Sequence, residues 1–425
     1  MRLIWTKCRP LPLRTLSLLA AGCLSTALAQ VNLYVPNSTT APPSMSEFTI
    51  NTSTGSGGGS LTAVTGQTSS PTDNNPLRVA MTPDNRFLYA TTQNGYIDAY
   101  SAGPGGILTP IAVNPGVQPP GGASFLGLVA TQNYLYLADK TNNRILVYSI
   151  NSANGSLTQV ACALCQLNAG TQPTNLTIDS TGTYVYAALL GSNQVGVGTV
   201  NASTGAFSSF TYAYTGSSAG IAAGFNPQDL VISPNNGFLY VTDGSLSGNV
   251  YAFQISGGTT LSNPAVIPTG GILPIGIAMD PTGSYLFIAN NLSNNVSAFC
   301  VAVTACGGSA ASGLSLVAAS GSPFSSHGNS PQGVTAEPTG SYIYVSNESS
   351  ANVAGFQIAK SGAGAGSLSF LNTAATGTGP YFLLAHVVQP LNPVPSASTW
   401  SLAILGTLLA VCAASLYRKA RCHGA

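Results

Sequence analysis

Residues 331–347 read PQGVTAEPTGSYIYVSN. This phrase contains a whole β-hairpin. Gln332 to Ala336 is a short, largely apolar strand that opens at a proline, and Pro338-Thr-Gly is a turn. Proline fixes φ at the second turn position, and glycine accepts a positive φ further on. Tyr342 to Asn347 is a second strand, rich in aromatic and β-branched residues. The spacing from Pro331 to Tyr344 is 13 residues, and it recurs at Pro76, Pro173, Pro227 and Pro274. The second strand recurs more widely still. LYVPN (33–37), LYATT (88–92), LYLAD (135–139), VYAAL (185–189), LYVTD (239–243), LFIAN (286–290) and IYVSN (343–347) place aromatics 47 to 57 residues apart.

A third strand follows each phrase after an Asn/Gly/Ser loop, as in Asn249-Val-Tyr-Ala-Phe-Gln-Ile, and a fourth opens on glycine at Gly155, Gly205, Gly313 and Gly366. Four short strands at this period predict a propeller blade. The N-terminal part (about 32–64) supplies strands two, three and four of a blade but no first strand. After the sixth full unit, Gly379-Pro-Tyr-Phe-Leu-Leu-Ala-His386-Val supplies a first strand with no successors. The predicted fold is therefore an all-β, seven-bladed propeller, closed where strands 32–64 pair with a strand at about 380–387. Such closure leaves no free sheet edge at the joint.

The Tyr-Val-x-Asn phrases at 34–37 and 344–347, with Asp243 for Asn at 240–243, resemble the YVTN β-propellers and the seven-bladed lactonase family. The resemblance spans about 32–388. It implies a lactone hydrolase of 6-phosphogluconolactonase type, with Arg and His one and two residues after each repeat proline, facing the central channel. Here those positions hold Leu77 and Arg78, Thr174 and Asn175, Gln228 and Asp229, Ile275 and Gly276, Gln332 and Gly333, and Tyr381 and Phe382. None is histidine, so the family's catalytic residues do not carry over. Arg78, Asn175, Gln228, Asp229, Gln332 and Tyr381 are the channel candidates for ligand binding. Arg78 with Asp229 also reads as a simple ion pair.

Charge sharpens this picture. Only 5% of the 425 residues are charged, against about 25% in an ordinary soluble domain. Seven of the 12 cations lie in residues 1–14 and 418–421; the part between holds five cations and 11 acids, net −6. This is no footprint for nucleic acid, which requires a basic surface. The basic ends have their own reading. Residues 1–29 form a signal peptide: a basic start, an apolar stretch from Leu16 to Leu28 and an Ala27-Leu-Ala29 cleavage site. A lipoprotein site at Cys23 is the weaker alternative. Residues 400–417 carry no charge over 18 residues and precede Arg418-Lys-Ala-Arg. That pattern predicts a transmembrane helix with a cytoplasmic tail at 418–425. With the Pro/Ser linker at 389–399, it resembles the PEP-CTERM and IPTL-CTERM sorting signals, without an intact Pro-Glu-Pro or Ile-Pro-Thr-Leu. The resemblance implies an exosortase-like partner and display at the cell envelope.

Little else carries chemistry. There are three histidines, His327, His386 and His423. The Asp or Asn ending the second strands (Asn37, Asp139, Asp243, Asn290, Asn347) are expected to bond the following loop rather than a metal. Cys162, Cys165, Cys300 and Cys306 remain in the exported part and read as two local disulfides. No C-x-x-C-H and no G-x-G-x-x-G in context calls for a cofactor. The scarcity of acid–base groups favours a non-catalytic surface module for glycan, matrix or protein, with the lactone hydrolase as the alternative.

Overall fold

Each blade begins at the channel and works outward; in five of them the first strand starts at the repeat proline, and the later strands pair antiparallel outward from it. The fold is seen in a computed structural model that describes residues 30–388, apart from 40–43, 54, 65–74, 112–123, 215–224, 263, 302–305 and 307–311. The expected signal peptide, linker, transmembrane helix and tail lie outside the described residues. Among the described residues, no helix is long and apolar enough to cross a membrane.

Seven sheets form the ring. Blades 1 to 6 open with Pro76–Met81, Phe125–Ala130, Pro173–Ile178, Pro227–Ile232, Pro274–Met279 and Pro331–Ala336. Blade 7 is shared. Its inner strand is Leu384–Val387, and Val31–Asn37, Ser44–Ile50 and Leu61–Ala63 follow outward. Val31 pairs with Val387 and Tyr34 with Leu384. The closing strand is shorter than 380–387. Pro380 makes an isolated bridge to Asn37, and Tyr381–Leu383 leave the ladder in between. The same break follows the first residue of the other six inner strands, as between Pro76 and Arg78 or Pro227 and Leu230. Bulges of this kind turn side chains away from the sheet. In blades 4 and 5 the fourth strand is split in two, Thr260–Leu261 with Ala265–Pro268 and Val317–Ala318 with Phe324–Ser325.

The core is distributed among the seams. Seven apolar clusters occur among the described residues, each between two neighbouring blades. The repeated tyrosine explains how the seams are registered. Its ring is fully buried, and its hydroxyl donates to a glycine carbonyl in the loop between the third and fourth strands of the next blade. Tyr34 reaches Gly106 at 3.2 Å, Tyr89 Gly155 at 2.8 Å, Tyr136 Gly205 at 2.9 Å, Tyr186 Gly258 at 2.6 Å, Tyr240 Gly313 at 3.0 Å and Tyr344 Gly59 at 2.9 Å. The glycine is required by proximity as well as by backbone. Gly155 has φ +74°, and a Cβ there would stand 2.5 Å from the Phe87 ring. Each such bond contributes about 0.5–1.5 kcal/mol net. The seam between blades 5 and 6 differs, because Phe287 has no hydroxyl to donate. There Lys360 pairs with the buried Asp280 at 3.6 Å and stands 5.1 Å from the Tyr285 ring centroid.

Candidate functional site

The bulge after the repeat proline puts its residues at one mouth of the channel. Four of the candidates meet there. Arg78 of blade 1 reaches across to Asp229 of blade 4, with Nη1 3.5 Å from both carboxylate oxygens. Asn175 of blade 3 donates its amide to Asp229 Oδ1. Two backbone N–H groups complete the shell, Leu230 to Oδ1 at 2.9 Å and Ile277 to Oδ2 at 3.3 Å. A buried carboxylate is tolerable only when it is paired and hydrogen-bonded in this way.

Arg78 is largely enclosed, its side chain 12% exposed against 5% for Asp229. Its guanidinium carbon lies 3.2 Å from the ring centroid of Phe382 in blade 7. Burial pulls its pKa down, and Asp229 opposes that pull. Its Nε has no hydrogen-bond partner among the described residues. Tyr381, the fourth candidate at the mouth, packs edge-on against Phe382 at 5.1 Å. Burial raises its hydroxyl pKa, Arg78 lowers it and Glu348 raises it. This cluster borders a cavity of about 150 Å³ to which all seven blades contribute, among its lining residues Arg78, Leu128, Asn175, Asp229, Ile277, Val334 and Phe382. It is on the axis, and it is about half the smallest volume usual for a ligand pocket.

The other two candidates sit apart from the ion pair. Gln228 covers Gly244, where a Cβ would collide with it. Gln332 donates its amide to Glu348, and its own oxygen is buried without a partner among the described residues. Glu348 is a mouth residue that sequence reasoning missed. Its position immediately after the strand-ending Asn347 was the available signal, since that register lies at the same end of the blade as the repeat proline. Phe382 stood among the channel positions, but nothing in the sequence marked it as the cover for Arg78.

The strand-ending Asp and Asn residues are occupied structurally. Asp139 accepts from Asn142 N–H and Arg144 Nε, and Asp243 from Ser245 and Ser247. Asn290 and Asn347 donate to nearby side chains and a loop carbonyl. The histidines are away from the mouth. His327 stacks on Phe370 at 3.6 Å by the outer strand of blade 6. His386 pairs in register with Asn32, and burial lowers its pKa. His423 lies outside the described residues. Cys162–Cys165 and Cys300–Cys306 are disulfides with Cα separations of 5.3 and 5.9 Å.

The model of the family described as "Lactonase, 7-bladed beta-propeller" matches residues 112–222, about a quarter of the chain. No curated protein matches it in sequence. Solved structures match almost the whole ring. A Lactobacillus plantarum protein has a TM-score of 0.67 at 18% identity, covering 84% of this chain and 100% of its own. A Bacteroides fragilis protein described as a candidate 6-phosphogluconolactonase has 0.67 at 19%, covering 85% and 99%. The periplasmic gluconolactonase of Pseudomonas aeruginosa has 0.64 at 18%, covering 85% and 100%. The chain is thus a seven-bladed β-propeller, similar in fold to structures of lactonase type.

Proposed function

We propose that this protein is an exported propeller displayed at the cell envelope, acting as a binding or scaffold module rather than a hydrolase. The observation that carries this reading is the saturation of Asp229. Its carboxylate accepts from Arg78, Asn175 and two backbone N–H groups. A general base requires a free lone pair within reach of the proton it takes. An oxyanion-stabilising arginine requires donors aimed at open space; Arg78 Nη1 is directed at Asp229, and its guanidinium is covered by Phe382. In this reading the ion pair plugs the channel, and recognition falls to the uncharged surface. The basic-ended segments outside the ring would direct export and anchorage, with sorting by an exosortase-like enzyme.

A second reading, lactone hydrolysis, draws support from the family match over 112–222 and the gluconolactonase-type neighbours. In that case Arg78 would stabilise the developing oxyanion and Glu348 would activate water. The test is turnover of a lactone panel, including glucono-δ-lactone and its 6-phosphate, by the full-length chain. The module reading expects no hydrolysis above the uncatalysed rate. Turnover that collapses in Arg78→Met and Glu348→Gln would replace it with the hydrolase.

A further inference from the structure

The face opposite the channel mouth is paved by the hairpin turns that join first to second strands. Five of these turns have the same length: five residues separate Met81 from Phe87, Ile178 from Tyr184, Ile232 from Phe238, Met279 from Tyr285 and Ala336 from Tyr342. Blade 2 departs from them. Only Thr131, Gln132 and Asn133 separate Ala130 from Tyr134, and the turn, like that of blade 3, has no proline.

The missing proline matters because turns seal against their neighbours. At Gly283 of blade 5, a Cβ would stand 3.1 Å from Pro234 of blade 4; at Gly340 of blade 6, 3.3 Å from Pro281 of blade 5. Blades 3 and 4 are joined by Asn236, which donates to Ser180 Oγ at 2.8 Å and accepts from Ser180 N–H at 3.0 Å. A Cβ at the equivalent glycine of blade 3, Gly182, would meet nothing within 4 Å among the described residues. The paving is open there, between blades 2 and 3, and the opening is a cleft of about 340 Å³. That volume falls within the usual range for small-ligand sites.

The chemistry of the cleft selects its occupant. The lining holds amides (Gln132, Asn133), hydroxyls (Thr131, Thr181) and the ring of Tyr134. Gln132 Nε2 donates to Asp84 of blade 1 at 2.7 Å and the Thr131 hydroxyl to Tyr134 O at 3.1 Å, which leaves the Gln132 oxygen and the Asn133 amide for a ligand. The ring is held in place, since its hydroxyl donates to Ser203 O at 2.9 Å. The one carboxylate, Asp179, is buried and turned inward. It accepts from Thr183 N–H at 2.7 Å, Tyr184 N–H at 2.7 Å, and both the N–H and the hydroxyl of Thr181. No lysine, arginine or histidine lines the cleft. It therefore offers neutral acceptors and the Asn133 amide beside an aromatic face, and its one charged lining group is the inward-turned Asp179. That is the complement of a polyol ring, which has hydroxyls at its rim and C–H groups on its faces. We propose that the cleft between the first turns of blades 2 and 3 binds a neutral oligosaccharide.

This inference rests on the module reading above and gives it a ligand class and a location. The test is calorimetric titration of the full-length chain with neutral hexasaccharides (cello-, xylo-, malto- and laminarihexaose), with hexagalacturonate as the charged control. Saturable binding of at least one neutral hexasaccharide, and not of hexagalacturonate, is expected. Two variants close the cleft: Asn133→Trp, and a chain in which Thr131–Asn133 is replaced by a copy of the Asp280–Ser284 turn. Each is expected to weaken binding at least tenfold with its melting temperature retained. Gln132→Ala, a milder change, should weaken binding severalfold should either closure disturb folding. Saturation by none of the neutral sugars would overturn the proposal, as would binding that persists in every folded variant. Neither result touches the module reading, which stands or falls on the lactone panel.

Discussion

The seams and the channel mouth solve the problem of burying polar groups in opposite ways. At six seams one tyrosine hydroxyl meets one glycine carbonyl. Each bond is neutral and local, and the next blade repeats it. At the mouth a single charge pair is shared across the ring, and no other blade repeats Arg78 or Asp229. The difference teaches where dependence is concentrated. Losing one seam bond leaves five others, whereas losing either mouth charge leaves its partner stranded in a buried site.

The largest expected effect follows from that contrast. Asp229→Ala leaves Arg78 buried without its counter-charge. It should cost about 3–5 kcal/mol, the range for breaking a buried pair from one side. Urea unfolding of the full-length chain measures it. The double variant Asp229→Leu with Arg78→Met should recover most of the loss; no recovery would mean that the pair does more than compensate charge. Tyr344→Phe comes next. It strands the Gly59 carbonyl at the seam that joins the two ends of the ring, and about 1–3 kcal/mol is expected. A loss below about 0.5 kcal/mol would show that the hydroxyl bond is incidental. The reverse substitution, Phe287→Tyr, asks whether the odd seam can be brought into line. A gain of up to about 1 kcal/mol is expected if the new hydroxyl reaches the blade 6 loop around Gly366. A loss would show that the blade 5–6 seam is packed around the bare ring.

A smaller effect tests burial by pH. His386 has its pKa lowered from 6.5 by burial. Both folded and unfolded chains hold it neutral above that value. As pH falls through 6.5, the unfolded chain takes up the proton first, so stability declines until the folded imidazole also titrates. His386→Gln should flatten this decline between pH 7 and 5, read as a smaller shift in melting temperature. The smallest effect belongs to Lys360→Met. The Lys360 side chain is 40% exposed, so its pair with Asp280 is screened and should contribute no more than about 1 kcal/mol.

The fold was legible because the seam bond imposes itself on six of the seven blades, and Phe287 keeps the aromatic ring in the seventh. A tyrosine that must reach the next blade's glycine cannot drift in register, so the phrase survives where little else is shared. The strand count and the shared blade followed from that phrase. The mouth was legible only as positions. The residues after each proline were identifiable, yet their pairing was not, because Arg78 and Asp229 are 151 residues apart and come from blades 1 and 4. Gln228 and Gln332 occupied the same register but turned to Gly244 and Glu348. Side-chain reach decides among equivalent positions, and periodicity does not record it. The short blade 2 turn was visible as a spacing, although its consequence depends on a neighbouring glycine left without a contact.

The closing strand also has a mechanical meaning. Val31 lies opposite Val387, and Val388 N–H bonds to Gln30 O at 2.8 Å. Residues 30 and 388 are therefore adjacent on one face of the ring. A force that separates them loads the ladder one hydrogen bond at a time, beginning with Val388, as a zip is opened. It does not load the ladder all together in shear. Resistance to such a pull would be set by the first few bonds and by the packing of Leu384 and Ala385 against blades 1 and 6. The chemical denaturation limit of the ring and its tensile limit are thus governed by different residues.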